Sequence, residues 1–328
     1  MKFAVVGAGA IGAYMGALLS RAGYDVTLIA RGAHMRAMQE RGVWIVEPSE
    51  EFVVNPRVTD DPAAVGPVDT VLLTLKAHSL TEMAARIKPL LGPNTTVVSA
   101  QNGIPWWYFY RSGGDWDGLH LESVDPGGVI ESHIESSRIL GCVIYCATII
   151  TEPGVIVHTE GNRFPIGEPD GSRSERARLV SEALTKAGMK APVRSDIRHD
   201  IWVKLMGNVT FNPISALTHA TLYDITTCPE TRDLAAKMMN EVQAICARLG
   251  VDLGISTEQR IAGAEKVGRH KTSMLQDVEA GKPMELEALM GAVVELGEKM
   301  GIHIPYIGAL YACAKLLNQQ IMASAEPA

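Results

Sequence analysis

Three polar residues interrupt an otherwise apolar segment that runs from Asp200 to Pro213. Lys204, Asn208 and Asn212 are spaced four residues apart, so on an α-helix they form a stripe along one face. The neighbouring positions are those of a helix buried on most sides, namely Ile201, Trp202, Val203, Leu205, Met206, Val209 and Phe211. Burying an ammonium and two amides is costly unless each has a partner. The stripe therefore faces another helix, solvent, or a site for an oxygen-rich ligand.

An acidic residue later in the chain stands near the start of a predicted helix. Glu285 follows the break Gly281-Lys282-Pro283, which predicts a helix with Pro283 in its first turn and Glu285 close behind. An acid there also has a structural explanation, because the helix dipole favours it by about 0.3 to 1 kcal/mol.

The beginning of the chain predicts a nucleotide-binding turn. The apolar run Lys2 to Val6 leads into a glycine turn, and a helical pattern follows to Gly23. In such a turn the first glycine permits the tight bend, the second admits a pyrophosphate, and the third lets helix and strand pack closely. The residues assigned to cofactor binding are Gly7, Ala8, Gly9, Ala10, Ile11 and Gly12.

The next strand, Asp25 to Ala30, ends at Arg31. NAD-binding proteins usually place an acid near this point to bind the ribose 2′-hydroxyl. An arginine can instead bind a 2′-phosphate through a charge-assisted contact, so Arg31 favours NADP over NAD. The alternative is a surface arginine that opens the following helix.

Two further polar residues follow predicted strands. The run Asp69 to Lys76 is typical of a strand buried on both faces, and it ends in Lys76. Ser79 to Leu90 predicts the crossover helix to the strand Thr95 to Ala100, and Asn102 comes directly after that strand. Because ligands of open parallel sheets bind outside the carboxyl ends of the strands, we expect these residues to converge with the glycine turn.

The order of the elements predicts two domains. Residues 1–195 read as an α/β Rossmann-type, doubly wound domain, and residues 196–328 read as all-helical. An irregular stretch at 104–137 contains three of the five tryptophans, beginning with Trp106 and Trp107. Its aromatic content indicates a packed segment rather than a linker, and a lid, a dimer contact and a surface cover all remain open.

The composition excludes several classes of function. A net charge of -7 and scattered basic residues argue against nucleic-acid binding, and no apolar run is long enough to cross a membrane. The five cysteines lack metal-ligand or CxxC spacing, which indicates reduced thiols in a cytoplasmic protein without a metal site. The expected partner is a small molecule, and a homodimer formed through the helical domain stays open.

Taken together, these motifs resemble the ketopantoate reductase (2-dehydropantoate 2-reductase) family. The resemblance extends over nearly the whole chain, and its motifs stand in the right order at compatible spacing. Beside GAGAIG and Arg31, the motifs are TLKA at 74–77, QNG at 101–103, WVKLMGNVTFNPISA at 202–216, SMLQD at 273–277 and MELEALMG at 284–291.

The resemblance implies NADPH-dependent reduction of a 2-oxo acid, ketopantoate to (R)-pantoate in pantothenate and coenzyme A biosynthesis, at a cleft between the two domains. It implies Lys204 as the catalytic general acid and Glu285 as the acid paired with it. It also implies five substrate-binding residues, namely Lys76, Asn102, Asn208, Asn212 and Ser273. Lys76 and Asn102 are expected to contact the cofactor as well. Lys76 and Asn102 are expected to act from the first domain.

The chain departs from the family pattern in two places. His270 stands where an asparagine is usual, three residues before Ser273, and the stretch at 104–137 is longer than usual. A different 2-oxo acid is therefore one alternative substrate. A 3-hydroxy acid dehydrogenase would share the architecture but not the pair SMLQD and MELEALMG. A non-catalytic NADPH sensor would keep the glycine turn and Arg31 but has no need of Lys204 with Glu285.

Overall fold

The computed structural model describes residues 1–325, which form two compact units. The first unit consists of Met1–Gln101, Pro105–His120 and Asp125–Ile197. The second consists of Asn102–Ile104, Leu121–Val124 and the chain from Arg198 onward. Two short segments from the first half of the sequence thus belong to the second unit, a feature that the linear order of motifs does not predict.

The first unit is built on a seven-stranded sheet and a four-stranded sheet. In chain order the strands are β1 (Lys2–Val6), β2 (Asp25–Ile29), β3 (Val43–Val46), β4 (Glu51–Val54), β5 (Arg57–Thr59), β6 (Val68–Leu73), β7 (Leu91–Ser99), β8 (Ile139–Cys142), β9 (Tyr145–Glu152), β10 (Val155–Arg163) and β11 (Ile166–Gly167). The larger sheet has the order β11-β8-β7-β6-β1-β2-β5 and is parallel except for β11. Strand β1 lies between β2 and β6, where the strand order reverses, so the predicted doubly wound sheet is confirmed.

The smaller sheet has the order β4-β3-β10-β9. It packs on the helix that follows the glycine turn, α1 (Ala10–Arg21). Tyr14 of this helix is buried, donates to Glu47 Oε1 (2.6 Å), and stacks on the His158 ring at 5.1 Å. Burial and the Glu47 hydrogen bond raise the pKa of Tyr14, so the phenol stays protonated and anchors the helix to this sheet.

The remaining helices of the first unit are short. They are α2 (Gly32–Arg41), α3 (Leu80–Ala84), α4 (Val129–His133) and α5 (Glu175–Lys186). The crossover helix predicted for 79–90 is wrong in extent, because α3 covers only five residues and a 3₁₀ turn at Lys88–Leu90 follows. Pro89 lies in that turn and cannot continue an α-helix, since it has no N–H to donate.

The aromatic stretch is packed into the protein. Trp107, Tyr108 and Phe109 are each 2% exposed, and the last two rings meet edge to face at 4.8 Å. Such burial is that of core residues, so these three side chains form neither a mobile lid nor a surface cover. Residues 113–115, farther along the stretch, are exposed.

The second unit is helical, as predicted. Its helices are α6 (Ile197–Thr218), α7 (Leu222–Thr227), α8 (Pro229–Arg248), α9 (Thr257–Val267), α10 (Ser273–Glu279), α11 (Ala292–Met300) and α12 (Pro305–Ala325), and α6 begins at the last residue of the first unit. Helix α6 contains the whole predicted segment 200–213 and is longer at both ends. The predicted burial is confirmed at Trp202, Met206 and Val209, each 0% exposed.

Candidate functional site

The glycine turn of the first unit is shaped to receive an anion. Gly7 has φ +93°, and the carbonyl of Ile29 accepts from Gly7 N and Ala8 N at 3.2 and 3.0 Å. A Cβ at Gly12 would lie 2.4 Å from the Gly7 oxygen, whereas one at Gly9 would have nothing nearer than 3.9 Å. The backbone at Gly9 is therefore open, and no side chain among residues 1–325 caps helix α1. The first amides of α1 are thus available to a phosphate.

Arg31 stands directly before helix α2, beyond the end of strand β2. Its backbone is extended (φ −142°, ψ 164°), and its side chain is exposed. Strands β1 and β2 are parallel neighbours, so their carboxyl ends lie at one edge of the sheet, where the glycine turn also begins. This placement fits the predicted contact with a 2′-phosphate.

Helix α2 is tied to the turn between β9 and β10. His34 Nδ1 accepts from Gly154 N at 3.0 Å, and Arg41 Nη2 donates to the Pro153 oxygen at 2.9 Å. Because Nδ1 accepts, the neutral ring carries its proton on Nε2. Burial lowers the pKa of His34, which favours this neutral form.

The His34 contact predicts a loss of stability in acid. The folded pKa lies below the ordinary value of about 6.5, so the contribution is fully present above that pH and is lost as pH falls through the folded pKa. His34→Asn keeps an acceptor near Nδ1 but does not titrate. We expect the free energy of unfolding, measured with urea, to fall less between pH 7.5 and pH 5 in this variant than in the wild type. The difference is at most about 1.4 kcal/mol per pH unit. Equal pH dependence of the two proteins would contradict this assignment.

Lys76 lies in the first unit. The sequence predicts that it stands at the end of a strand, and this part of the prediction is wrong. Strand β6 ends at Leu73, and Lys76 comes three residues later, before the 3₁₀ turn Ala77–Ser79. Beyond the strand, the Thr74 hydroxyl donates to the Gly7 oxygen at 2.9 Å. Leu75 then runs directly against Gly7. The half-buried Lys76 therefore follows a segment that contacts the glycine turn.

In the second unit, three of the predicted site residues form one hydrogen-bonded chain. Lys204 Nζ donates to Asn102 Oδ1 at 2.7 Å, and Asn102 Nδ2 donates to Glu285 Oε2 at 3.3 Å. The two contacts fix the orientation of the amide, since a flipped amide would point its NH₂ group at an ammonium. Asn102 thereby links the lysine to the carboxylate.

The predicted location of Asn102 on the first domain is wrong. Asn102 belongs to the second unit, because its side chain bonds to Lys204 on α6 and to Glu285 ahead of α11. The predicted position of Glu285 inside a helix is also wrong. Met284 N donates to Asn318 Oδ1 at 2.8 Å, and the helix begins only at Leu286. Glu285 therefore precedes the helix, and a first-turn dipole effect does not explain it.

The rest of the polar stripe follows Lys204 along α6. Successive members are about 6 Å apart along the helix axis. Asn208 is half-buried, and Asn212 is only 5% exposed. Among residues 1–325 no group accepts a hydrogen bond from Asn212 Nδ2. A buried donor left in this state costs about 1 to 3 kcal/mol, so Asn212 is suited to a ligand with an acceptor oxygen.

Ser273 and His270 lie at and before the start of α10. Ser273 is exposed in its first turn, while Thr272 caps the helix by accepting from Leu275 N at 3.2 Å. The His270 carbonyl accepts from Leu222 N at 3.0 Å, which fixes the loop ahead of α10. The structure does not join either side chain to the chain of Lys204, Asn102 and Glu285.

Arg260 is a functional candidate that the motifs do not reveal. Its guanidinium lies against the backbone of Gly207 on α6, and a Cβ at Gly207 would come 2.0 Å from Nη2. Gly207 stands one residue before Asn208, so a cation lies beside the polar stripe. A lone glycine inside a buried helix is the sequence signal for such a close approach.

Two further properties concern the described residues as a whole. Within 1–325 no three His, Cys, Asp or Glu residues are arranged to hold a metal ion. No helix in this range is long and apolar enough to cross a membrane.

Comparison with known proteins identifies relatives over the whole length. Residues 3–106 match the family described as ketopantoate reductase PanE/ApbA, and residues 196–318 match its C-terminal part. A 2-dehydropantoate 2-reductase from Mesorhizobium japonicum is 50% identical over 97% of this chain and 98% of its own.

Solved structures share the fold. The crystal structure of a candidate ketopantoate reductase from Ralstonia solanacearum MolK2 is 40% identical, covers 98% of each chain and has a TM-score of 0.93. A D-mandelate dehydrogenase with NADH and anilino(oxo)acetate is 22% identical, covers 98% of this chain and 99% of its own, and has a TM-score of 0.84, which shows the fold alone. The family matches in both halves of the chain, together with the 50% identity to the Mesorhizobium japonicum protein, establish that this chain belongs to the ketopantoate reductase family.

Proposed function

We propose that this chain is an oxidoreductase that uses NADPH to reduce 2-dehydropantoate (ketopantoate) to (R)-pantoate, a step of pantothenate and coenzyme A biosynthesis. The observation that carries the proposal is the hydrogen-bonded chain from Lys204 through Asn102 to Glu285. Relatives named 2-dehydropantoate 2-reductase, including the 50% identical protein, support this choice of substrate.

The first domain, 1–195, is the proposed cofactor domain. The open backbone at Gly9 and the uncapped start of α1 fit a pyrophosphate in the turn from Gly7 to Gly12. Arg31 would bind the 2′-phosphate, and Lys76 is the further proposed contact of this domain. Asn102, which belongs to the second unit, is the remaining proposed cofactor contact. When bound, NADPH supplies the hydride for the reduction.

Lys204 is the proposed general acid. Reduction of a ketone develops negative charge on its oxygen, and a nearby ammonium stabilises that charge and then donates a proton to it. The half-buried Lys204 has three N–H donors on its ammonium and gives one to Asn102. The resulting amine regains its proton from water.

Asn102 and Glu285 are proposed to aim the ammonium. The amide accepts from Lys204 and passes its own N–H to the carboxylate, so the negative charge of Glu285 acts on the lysine through a polarised bridge. This arrangement fixes the direction of Nζ without placing a second charge at the substrate oxygen.

The second domain, 196–328, is the proposed substrate domain. Asn208 and Asn212 continue from Lys204 along one face of α6, and the unsatisfied Nδ2 of Asn212 favours an acceptor at the far end of the substrate. Ser273 is the remaining proposed contact. Ketopantoate carries a carboxylate next to its ketone and a hydroxyl group at the other end, so it offers acceptor oxygens to the amides of this stripe.

The test compares two substrates that differ in one hydroxyl group. We expect NADPH oxidation with ketopantoate to show a far higher kcat/KM than with 3,3-dimethyl-2-oxobutanoate, because a site that binds a hydroxyl rejects the analogue without it. Other 2-oxo acids and 3-hydroxy acids complete the panel. Preference for another acid would replace the substrate. NADPH binding with no turnover on any of them would favour a sensor.

The assembly and the location of the protein stay predictions. A homodimer formed through the helical second domain stays open, and a cytoplasmic location is the one that the sequence favours. Sedimentation of the purified chain measures the first of them.

A further inference from the structure

The helix that follows Glu285 begins with an unusual turn. Glu287–Gly291 is a π turn, and it continues directly into α11. Such turns occur mostly singly within α-helices and are frequent at functional sites. Here the turn begins two residues after the carboxylate that accepts from Asn102.

The π turn also contacts the segment Asn102–Ile104 through its backbone. The Ala288 carbonyl accepts from Ile104 N at 2.9 Å. Between Asn102 and Ile104, Gly103 has φ +84°, and a Cβ there would lie 2.1 Å from the Ala288 oxygen. Only glycine permits this approach of the two backbones.

Asn102 is thus held from two directions by one short stretch of chain. Its amide donates to Glu285, just before the π turn, and its own segment is bound by Ala288, inside the turn. Any shift of the turn moves both contacts together, and with them the amide oxygen that accepts from Lys204.

A second pair of side chains fixes the π turn itself. Tyr311 Oη, on α12, donates to Glu287 Oε2 at 2.6 Å. The Glu287 carboxylate lies over Gly291, four residues farther along the chain. A Cβ at Gly291 would lie 2.3 Å from Oε2 and 3.1 Å from the tyrosine oxygen. Burial and the Glu287 hydrogen bond raise the pKa of Tyr311, so the hydroxyl remains a donor at neutral pH.

We propose that Glu287 and Tyr311 are positioning residues for the reduction: they fix the π turn that holds Asn102 against Lys204. Neither touches the reacting atoms, and both act through Ala288, Glu285 and Asn102. The inference rests on the proposed function, in which Lys204 is the acid. It adds a pair of side chains whose role is to keep the direction of the ammonium constant.

The test uses Tyr311→Phe and Glu287→Ala, with Glu287→Gln as the conservative variant. We expect Tyr311→Phe and Glu287→Ala to lower kcat about tenfold, because small misplacements of catalytic groups are costly, while the Kd for NADPH stays unchanged. Glu287→Gln keeps an acceptor for Tyr311 and should remain near the wild type. The matched control is Tyr306→Phe, which removes a hydroxyl at the start of the same helix.

A second measurement does not depend on turnover. The rate of Lys204 acylation by acetic anhydride, followed by mass spectrometry across pH, reports how its amine is held. In Tyr311→Phe and Glu287→Ala we expect acylation to begin at lower pH than in the wild type and in Tyr306→Phe. If the wild type reduces no 2-oxo acid, the proposed function fails, and this profile still decides the inference. Unchanged Lys204 profiles in both variants, with normal melting temperatures, would overturn it.

Discussion

Replacing Lys204 with alanine is expected to lower kcat for 2-oxo acid reduction by about 10² to 10⁴, the usual contribution of general acid catalysis. The variant loses both the cation that stabilises the developing alkoxide and the proton that quenches it. Affinity for NADPH should stay nearly unchanged, because the proposed dinucleotide contacts lie mainly on the glycine turn and Arg31. Steady-state kinetics and a fluorescence titration with NADPH measure the two quantities.

Two control variants sharpen the Lys204 experiment. Lys204→Arg keeps a positive charge but cannot act as an acid near neutral pH, so it separates charge stabilisation from proton donation. Lys237→Ala removes a half-buried lysine that is paired with Asp233 on α8 and should not change kcat. Turnover close to the wild-type value in Lys204→Ala would sink the assignment of the acid.

Replacing Arg31 with alanine is expected to reduce the preference for NADPH over NADH by about 1 to 3 kcal/mol, the range for a hydrogen bond to a charged group. Arg31 is exposed at the start of α2, where its guanidinium can pair with a 2′-phosphate that NADH lacks. The measurement is the ratio of kcat/KM values for the two cofactors with one 2-oxo acid.

Arg36 provides the matched control for Arg31. It is an exposed arginine on the same helix, five residues farther along the chain. Arg36→Ala changes the net charge by the same amount, so it removes any general electrostatic effect on cofactor binding. An unchanged cofactor ratio in Arg31→Ala, or an equal change in Arg36→Ala, would show that Arg31 does not bind the 2′-phosphate.

Features set by local pattern could be predicted from the sequence. The glycine turn between β1 and α1 follows from three glycines after an apolar run, and the burial of α6 follows from its composition. The polar stripe follows from a spacing of four residues. Each of these depends on neighbours within a few turns, and periodicity reports such neighbours well.

Features set by distant contacts could not be predicted in this way. Asn102 forms hydrogen bonds with Lys204, which lies 102 positions farther along the chain, and with Glu285, which lies 183 positions farther along. No local pattern assigns Asn102 to the helical unit. The segment after Pro283 contacts a residue 34 positions downstream, where Met284 N donates to Asn318, and the helix begins only at Leu286. The segment before Lys76 contacts the glycine turn through the Thr74 hydroxyl. In each case the chain meets residues that are distant in sequence, which periodicity does not report.

The π turn at Glu287–Gly291 also constrains the length of the chain, since its hydrogen-bonded ring contains one residue more than that of an α-helix. Deleting one residue here would restore α-helical geometry and rotate everything before it by about 100° about the helix axis. Glu285 and the Ala288 carbonyl would then turn away from the Asn102 segment together. In this part of the protein the number of residues matters as much as their identity, because a deletion displaces both contacts with the Asn102 segment at once.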